Sequence, residues 1–141
     1  MPIDIRAVLH RVIDDVFDQS TVTKEEDSSD APHAHRVPLS TLPTVDGQQR
    51  NASLVASYEW FQAHILDLDV HAMSFDYDDD EADKENEIRD LAHLVRAYLH
   101  GEGTVTYRPS LIRRRPMPTL TIETNGLRWR LRRNTHTVEP L

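Results

Sequence analysis

Three stretches of apolar residues repeat at helical spacing. Near the start, Ile5, Val8, Leu9, Val12, Ile13, Val16 and Phe17 recur with partners three and four residues apart, gathering seven apolar side chains on one stripe and leaving Asp14, Asp15 and Asp18 off it. Further on, Leu54, Tyr58, Phe61, Ile65, Leu68, Ala72 and Phe75 follow one another at steps of 4, 3, 4, 3, 4 and 3 with no Gly or Pro from Ala52 to Phe75, which predicts a second helix capped by Asn51. A competing strand reading rests on Leu66, Leu68 and Val70 alternating with Asp67, Asp69 and His71, and accounts for fewer residues. Third, Ile88, Leu91, Val95 and Tyr98, flanked by Ala92 and Leu99 and stopped by Gly101, predict another helix. The acidic loop 76–83 between the last two is short enough to fold them into an antiparallel hairpin.

After Gly103 the period falls to two. Residues 119–124 and 127–133 alternate around Asn125-Gly126, the pair that most favours a two-residue hairpin turn. That turn sets Thr124 opposite Leu127, Ile122 opposite Trp129 and Leu120 opposite Leu131. One face then carries Leu120, Ile122, Leu127, Trp129 and Leu131, and the other Thr119, Thr121, Glu123, Arg128, Arg130 and Arg132. Residues 104–108 and 111–115 add a bent third strand, confined to an edge by Pro109 and Pro116.

Between these patterns, Ser20 to Arg36 holds one large apolar residue, Val22, and reads as a flexible linker; Pro38, Pro43 and Asp46-Gly47 make 37–47 extended. The expected fold class is α+β. It comprises a tethered N-terminal amphipathic helix (1–19), a flexible and extended segment (20–50), and a domain (51–141) in which an antiparallel helical hairpin packs on a C-terminal antiparallel sheet of two to three strands.

Charge sharpens this picture. The first 100 residues carry 21 Asp and Glu against 8 Lys and Arg, whereas the last 41 carry 8 Arg, no Lys and 3 Glu. An all-Arg end on an acidic body is suited to an anionic surface, whether the body itself, a second copy or a foreign partner. Absence of Cys excludes disulfides, thiolate metal ligands and cysteine nucleophiles. No apolar run reaches the roughly 18 residues of a spanning helix, and the first residues lack a signal-peptide pattern, so the expectation is a cytoplasmic protein without a membrane partner.

Motifs for chemistry are sparse. There is no Gly-x-Ser-x-Gly elbow, Gly-rich phosphate loop or His-Glu-x-x-His helix, and no cofactor is expected. Asp76, Asp78, Asp80 and Glu87 fall at the first, third, fifth and twelfth places of an EF-hand loop, but the sixth place, normally Gly, is Glu81. In helical spacing His64, Asp67 and His71 share a flank, although His93 and His100 on the next helix face away and His33 and His35 lie in the linker. These are weak metal candidates.

The stronger candidates are partner-binding: Val12 and Phe17 on the tethered helix, Trp60 outside the second helix's core stripe, and the row Arg128, Arg130 and Arg132, with Arg113 to Arg115 nearby. The expected function is a small non-enzymatic interaction module, adaptor or chaperone-like, that associates with a protein partner or with itself as a homodimer. An Arg-rich β-ribbon binding nucleic acid is the first alternative, disfavoured by the acidity and by the lack of interleaved aromatics. A metal-dependent enzyme is the second.

Overall fold

The structure is a computed structural model that describes residues 3–25, 28–31, 34–42, 49–108 and 117–141. Its order is α1 (Ile5–Val16), β1 (Val22–Lys24), β2 (Ser28–Ala31), β3 (Ala34–Thr41), β4 (Asn51–Ala56), β5 (Trp60–Ile65), β6 (Val70–Phe75), α2 (Glu81–Leu99), β7 (Thr104–Arg108), β8 (Met117–Thr124), β9 (Leu127–Leu131) and β10 (His136–Pro140). The described strands form two antiparallel sheets. The first runs β1-β3-β4-β5-β6, with β2 also paired to β3; the second runs β10-β9-β8-β7.

The fold remains α+β, but the expected helical hairpin is overturned. Residues 52–75 form three strands, whose registers set Leu54 opposite Ala63, Ala52 opposite Ile65, Ile65 opposite Val70 and Ala63 opposite Ala72. The residues at steps of three and four do not share a face: Leu54, Phe61, Ile65 and Ala72 are buried in the core, Tyr58 and Leu68 lie between strands, and exposed Phe75 stands opposite Trp60. Strand alternation was obscured because the other face bears Val55, Trp60 and Met73 in place of charged residues. Nor do the turns contain Gly or Pro; the left-handed position before β6 is taken by Asp69 (φ 53°), a residue that tolerates it. Asn51 accordingly caps no helix. Its side chain receives a hydrogen bond from Ser40 Oγ (2.8 Å) and donates one to Asp67 (3.1 Å), tying β3, β4 and the β5–β6 turn.

The tethered-helix expectation is corrected too. Helix α1, capped by Asp4, buries Ile5, Val8, Leu9, Val12, Ile13 and Val16 in the same core as α2 and the first sheet. Its polar flank is fixed to α2 by Arg11 Nε donating to Glu85 (2.6 Å) and Arg89 donating to Asp15 (3.2 Å). The stretch read as linker contributes β1, β2 and the start of β3.

Helix α2 matches the periodicity. It buries Ile88, Leu91, Val95 and Tyr98, is capped by Asp80 and ends at Gly101 (φ 85°). Lys84 is fully buried, donating to the carbonyls of Tyr58 and Asp76 (both 2.8 Å) with the Tyr58 ring beneath its ammonium, so α2 closes the loop before β5 and the loop after β6.

Beyond α2, the hairpin register is the one expected, from Thr124 opposite Leu127 to Leu120 opposite Leu131. Strand β7 joins at the edge, and β10, which the sequence pattern did not predict, pairs with β9. Thus the sheet, expected to have two to three strands, has four among the described residues. Its apolar face, Leu120, Ile122, Trp129 and Leu131, joins the common core. Residues 111–115, including the basic run Arg113 to Arg115, lie outside the described residues, as do His33, Pro43 and Asp46-Gly47.

Candidate functional site

Strand alternation gives the first sheet two faces. Val37, Leu39, Ala52, Leu54, Phe61, Ala63, Ile65, Val70 and Ala72 belong to the core beneath the helices. The opposite face carries Pro38, Ser53, His64 and His71 in one cross-strand row, Arg36, Val55, Gln62 and Met73 in the next, then Trp60 beside Phe75. Beside it stands the turn from β9 to β10: the amide of His71 donates to the carbonyl of Arg132 (3.4 Å), joining the edge of β6 to the second sheet. A groove of about 430 Å³ lies at this joint, lined by Gln62, His71, Met73, Phe75 and residues 133–136.

At the upper end of the face three potential ligands converge. His64 and His71 are direct cross-strand neighbours with rings stacked 4.1 Å apart, and the tight turn after β5 brings back Asp69, whose Oδ1 lies 3.1 Å from His64 Nε2. One ligand atom from each of the three lies within 4.8 Å of the others. Arg133 Nε meets the second Asp69 oxygen at 3.3 Å, and the Arg133 carbonyl lies 3.3 Å from His71 Nδ1. Burial, reinforced by the His71 imidazole, holds the His64 pKa below its ordinary value, with Asp69 opposing in part. Ser53, opposite His64, is buried with a hydroxyl that has no hydrogen-bond partner among the described residues.

The helical reading grouped His64 and His71 with Asp67, whereas the structure brings Asp69 to the two histidines. Asp67 serves the fold instead, accepting from Asn51 N (2.7 Å), Asn51 Nδ2 and the Tyr98 hydroxyl (2.6 Å); burial, together with this carboxylate, pushes the Tyr98 pKa up. The signal for Asp69 was present as a turn-tolerant residue between strands, legible only once the hairpin is recognised. The EF-hand candidates fare differently. Asp76 Oδ1 accepts from Asp78 N, Asp80 caps α2, and Glu87 hydrogen-bonds Ser74. Helix α2 begins at Glu81, midway through the loop an ion would need, so Asp76, Asp78 and Asp80 do not encircle a common point.

The partner-binding candidates also separate. Val12 and Phe17 are buried within the chain, so neither is an accessible docking residue in this fold. Trp60 lies half-buried on the open face of the first sheet. Of the arginine row, Arg128 is held by Glu123 (2.9 Å) and Glu139 (3.4 Å), while Arg130 and Arg132 are exposed. That pairing neutralises one end of the row and weakens it as a phosphate clamp.

Comparison with protein families, with curated proteins and with solved structures gives no match. Among the described residues, no helix is long and apolar enough to cross a membrane.

Proposed function

We propose that the protein is a non-enzymatic interaction module that self-associates through the open face of its first sheet. The observation that carries this reading is the aromatic group at the lower end of that face. Phe75 is 54% and Tyr77 71% exposed, their rings stacked 6.1 Å apart, with Trp60 directly across the strand from Phe75 and Met73 beside them. Aromatic side chains offering this much area are what binding surfaces use.

The surroundings favour a second copy as the partner. On one side of Phe75 the groove is rimmed by His71, Arg133 and His136; on the other the chain enters the acidic stretch from Asp76 to Glu81. A patch with the part-exposed guanidinium of Arg133, which also pairs with Asp69, on one flank, aromatic in the centre and acidic on the other complements itself under a two-fold rotation. Size-exclusion chromatography with light scattering tests the proposal. The expected result is a dimer, with Phe75→Asp combined with Tyr77→Asp weakening association at least tenfold, on the order expected for central aromatics. Arg133→Glu and Asp78→Arg should each weaken it and together restore part of the loss. A wild-type chain that stays monomeric as concentration rises overturns the reading.

A further inference from the structure

We infer that His64, Asp69 and His71 form a binding site for a divalent transition metal of the zinc type. The hairpin itself fixes the three ligands. Ile65 opposite Val70 locks the register, so His64 and His71 must be neighbours on the open face and Asp69 must lie at the turn above them. The separation of His64 Nε2 from Asp69 Oδ1, 3.1 Å, is close to the edge of about 3.3 Å expected for a tetrahedron of ligands at bonds of about 2.0 Å. The three ligand atoms together lie within 4.8 Å of one another, so the His71 ring, stacked on His64, turns toward the ion on binding.

Groups behind the ligands are arranged as a metal site requires. When His71 Nδ1 donates to the Arg133 carbonyl, the lone pair is left on Nε2, the orientation that outer partners impose on metal-binding imidazoles. Arg133 Nε holds Asp69 Oδ2, leaving Oδ1 toward His64 as a single-oxygen ligand. Ser53, buried opposite His64, adds an unused hydrogen-bonding group beside the ligands. Two imidazoles and one carboxylate suit zinc, cobalt or nickel better than calcium or magnesium, which take mainly oxygen ligands. Three protein ligands leave a fourth position open, and the Asp69 side chain, 52% exposed, gives an ion access from solvent.

This site shares His71 and Arg133 with one flank of the self-association patch, so its test reads metal binding itself and not the oligomeric state. The test is calorimetric titration of the full, untagged chain with Zn²⁺, alongside Co²⁺ as a spectroscopic probe of coordination. One Zn²⁺ per chain is expected, with Co²⁺ absorbing as a four-coordinate N/O complex. His64→Gln and His71→Gln should each lower the affinity at least tenfold and Asp69→Asn should weaken it, whereas His33→Gln with His35→Gln, or Phe75→Asp, should leave it unchanged. Imidazole resonances of the wild-type chain supply a readout independent of the folding of any variant: Zn²⁺ should shift His64 and His71 first. Failure of wild-type binding to saturate, first shifts at His33 and His35, or affinity that survives loss of both His64 and His71 overturns the assignment.

Discussion

Strands β4 and β7 are opposite extremes of antiparallel pairing. In β4, at the middle of the first sheet, all residues from Ala52 to Ala56 are buried, including Ser53 and Val55 on the face away from the helices. In β7, at the edge of the second sheet, all five residues are exposed, even Val105, which points to the same face as buried Leu120. The contrast shows that pairing alone does not place a strand in the core. Strand β4 has a partner on each side and helices over one face; β7 pairs with β8 alone among the described strands, and all its residues are exposed.

The largest expected effect tests that contrast directly. Phe61, fully buried on β5, packs under the helices, and Phe61→Ala should lower stability by about 3 to 5 kcal/mol through lost burial and the cavity left behind. The matching truncation at the edge, Val105→Ala, should cost less than about 0.5 kcal/mol. Urea denaturation of both variants measures the difference. A Val105 effect comparable with that of Phe61 would mean that β7 is covered, and the distinction between the sheets would collapse.

The same contrast explains which parts of the fold were legible. The second sheet declares itself through Asn125-Gly126 and through Arg128, Arg130 and Thr121 alternating with Trp129, Leu131 and Ile122, because one face meets solvent and the other the core. Helix α2 was equally clear, with a polar flank and a glycine stop. The first sheet hid for the opposite reason: its middle strand is buried on both faces and therefore has no polar alternation to read. Regularly spaced six-residue strands and short turns then happened to place apolar residues at helical intervals. The helical reading still grouped His64 with His71, seven residues apart, but it took Asp67 in place of Asp69, whose place at the turn beside them shows only in a strand pair. Buried Lys84 and the fourth strand of the second sheet left no signal, one being a lysine among acids and the other a short exposed edge.

A second comparison concerns how each sheet turns. Gly126 (φ 78°) in the β8–β9 turn and Asp69 (φ 53°) in the β5–β6 turn both occupy the left-handed region. At Gly126 an added Cβ meets nothing within 4 Å, so the cost of Gly126→Ala is conformational alone, about 1 to 2 kcal/mol. At Asp69 the change runs the other way. Asp69→Gly relieves the left-handed strain but forfeits the contacts with His64 and Arg133, so the net change should stay below about 1 kcal/mol in either direction. Thermal denaturation of both variants checks the asymmetry, and a large loss for Asp69→Gly without metal would show that its contacts hold the hairpin together.

The smallest effect lies where α2 meets the second sheet, and it depends on pH. Burial, with Arg96 and Arg89 adding repulsion and Asp90 opposing, lowers the pKa of His93 in the folded chain. An unfolded histidine titrates near about 6.5, so above that pH His93 is neutral in both states and contributes no pH dependence. As pH falls through this value the unfolded chain takes up a proton that the folded chain resists, and stability must decline until the folded pKa is passed. Asp90, which accepts from Asn125 Nδ2 (3.1 Å), works with the opposite sign in a lower window: burial raises its pKa, so below the folded value and down to the unfolded one near about 3.9 the folded chain binds the extra proton and gains stability. His93→Gln should therefore flatten part of the decline below about pH 6.5 while leaving the Asp90 window in place. His64, also held low, titrates from the first sheet's side in both proteins and cancels in the difference. Urea midpoints at a series of pH values provide the measurement; an unchanged difference between the two proteins across the window would show that His93 is as well solvated in the fold as in the open chain.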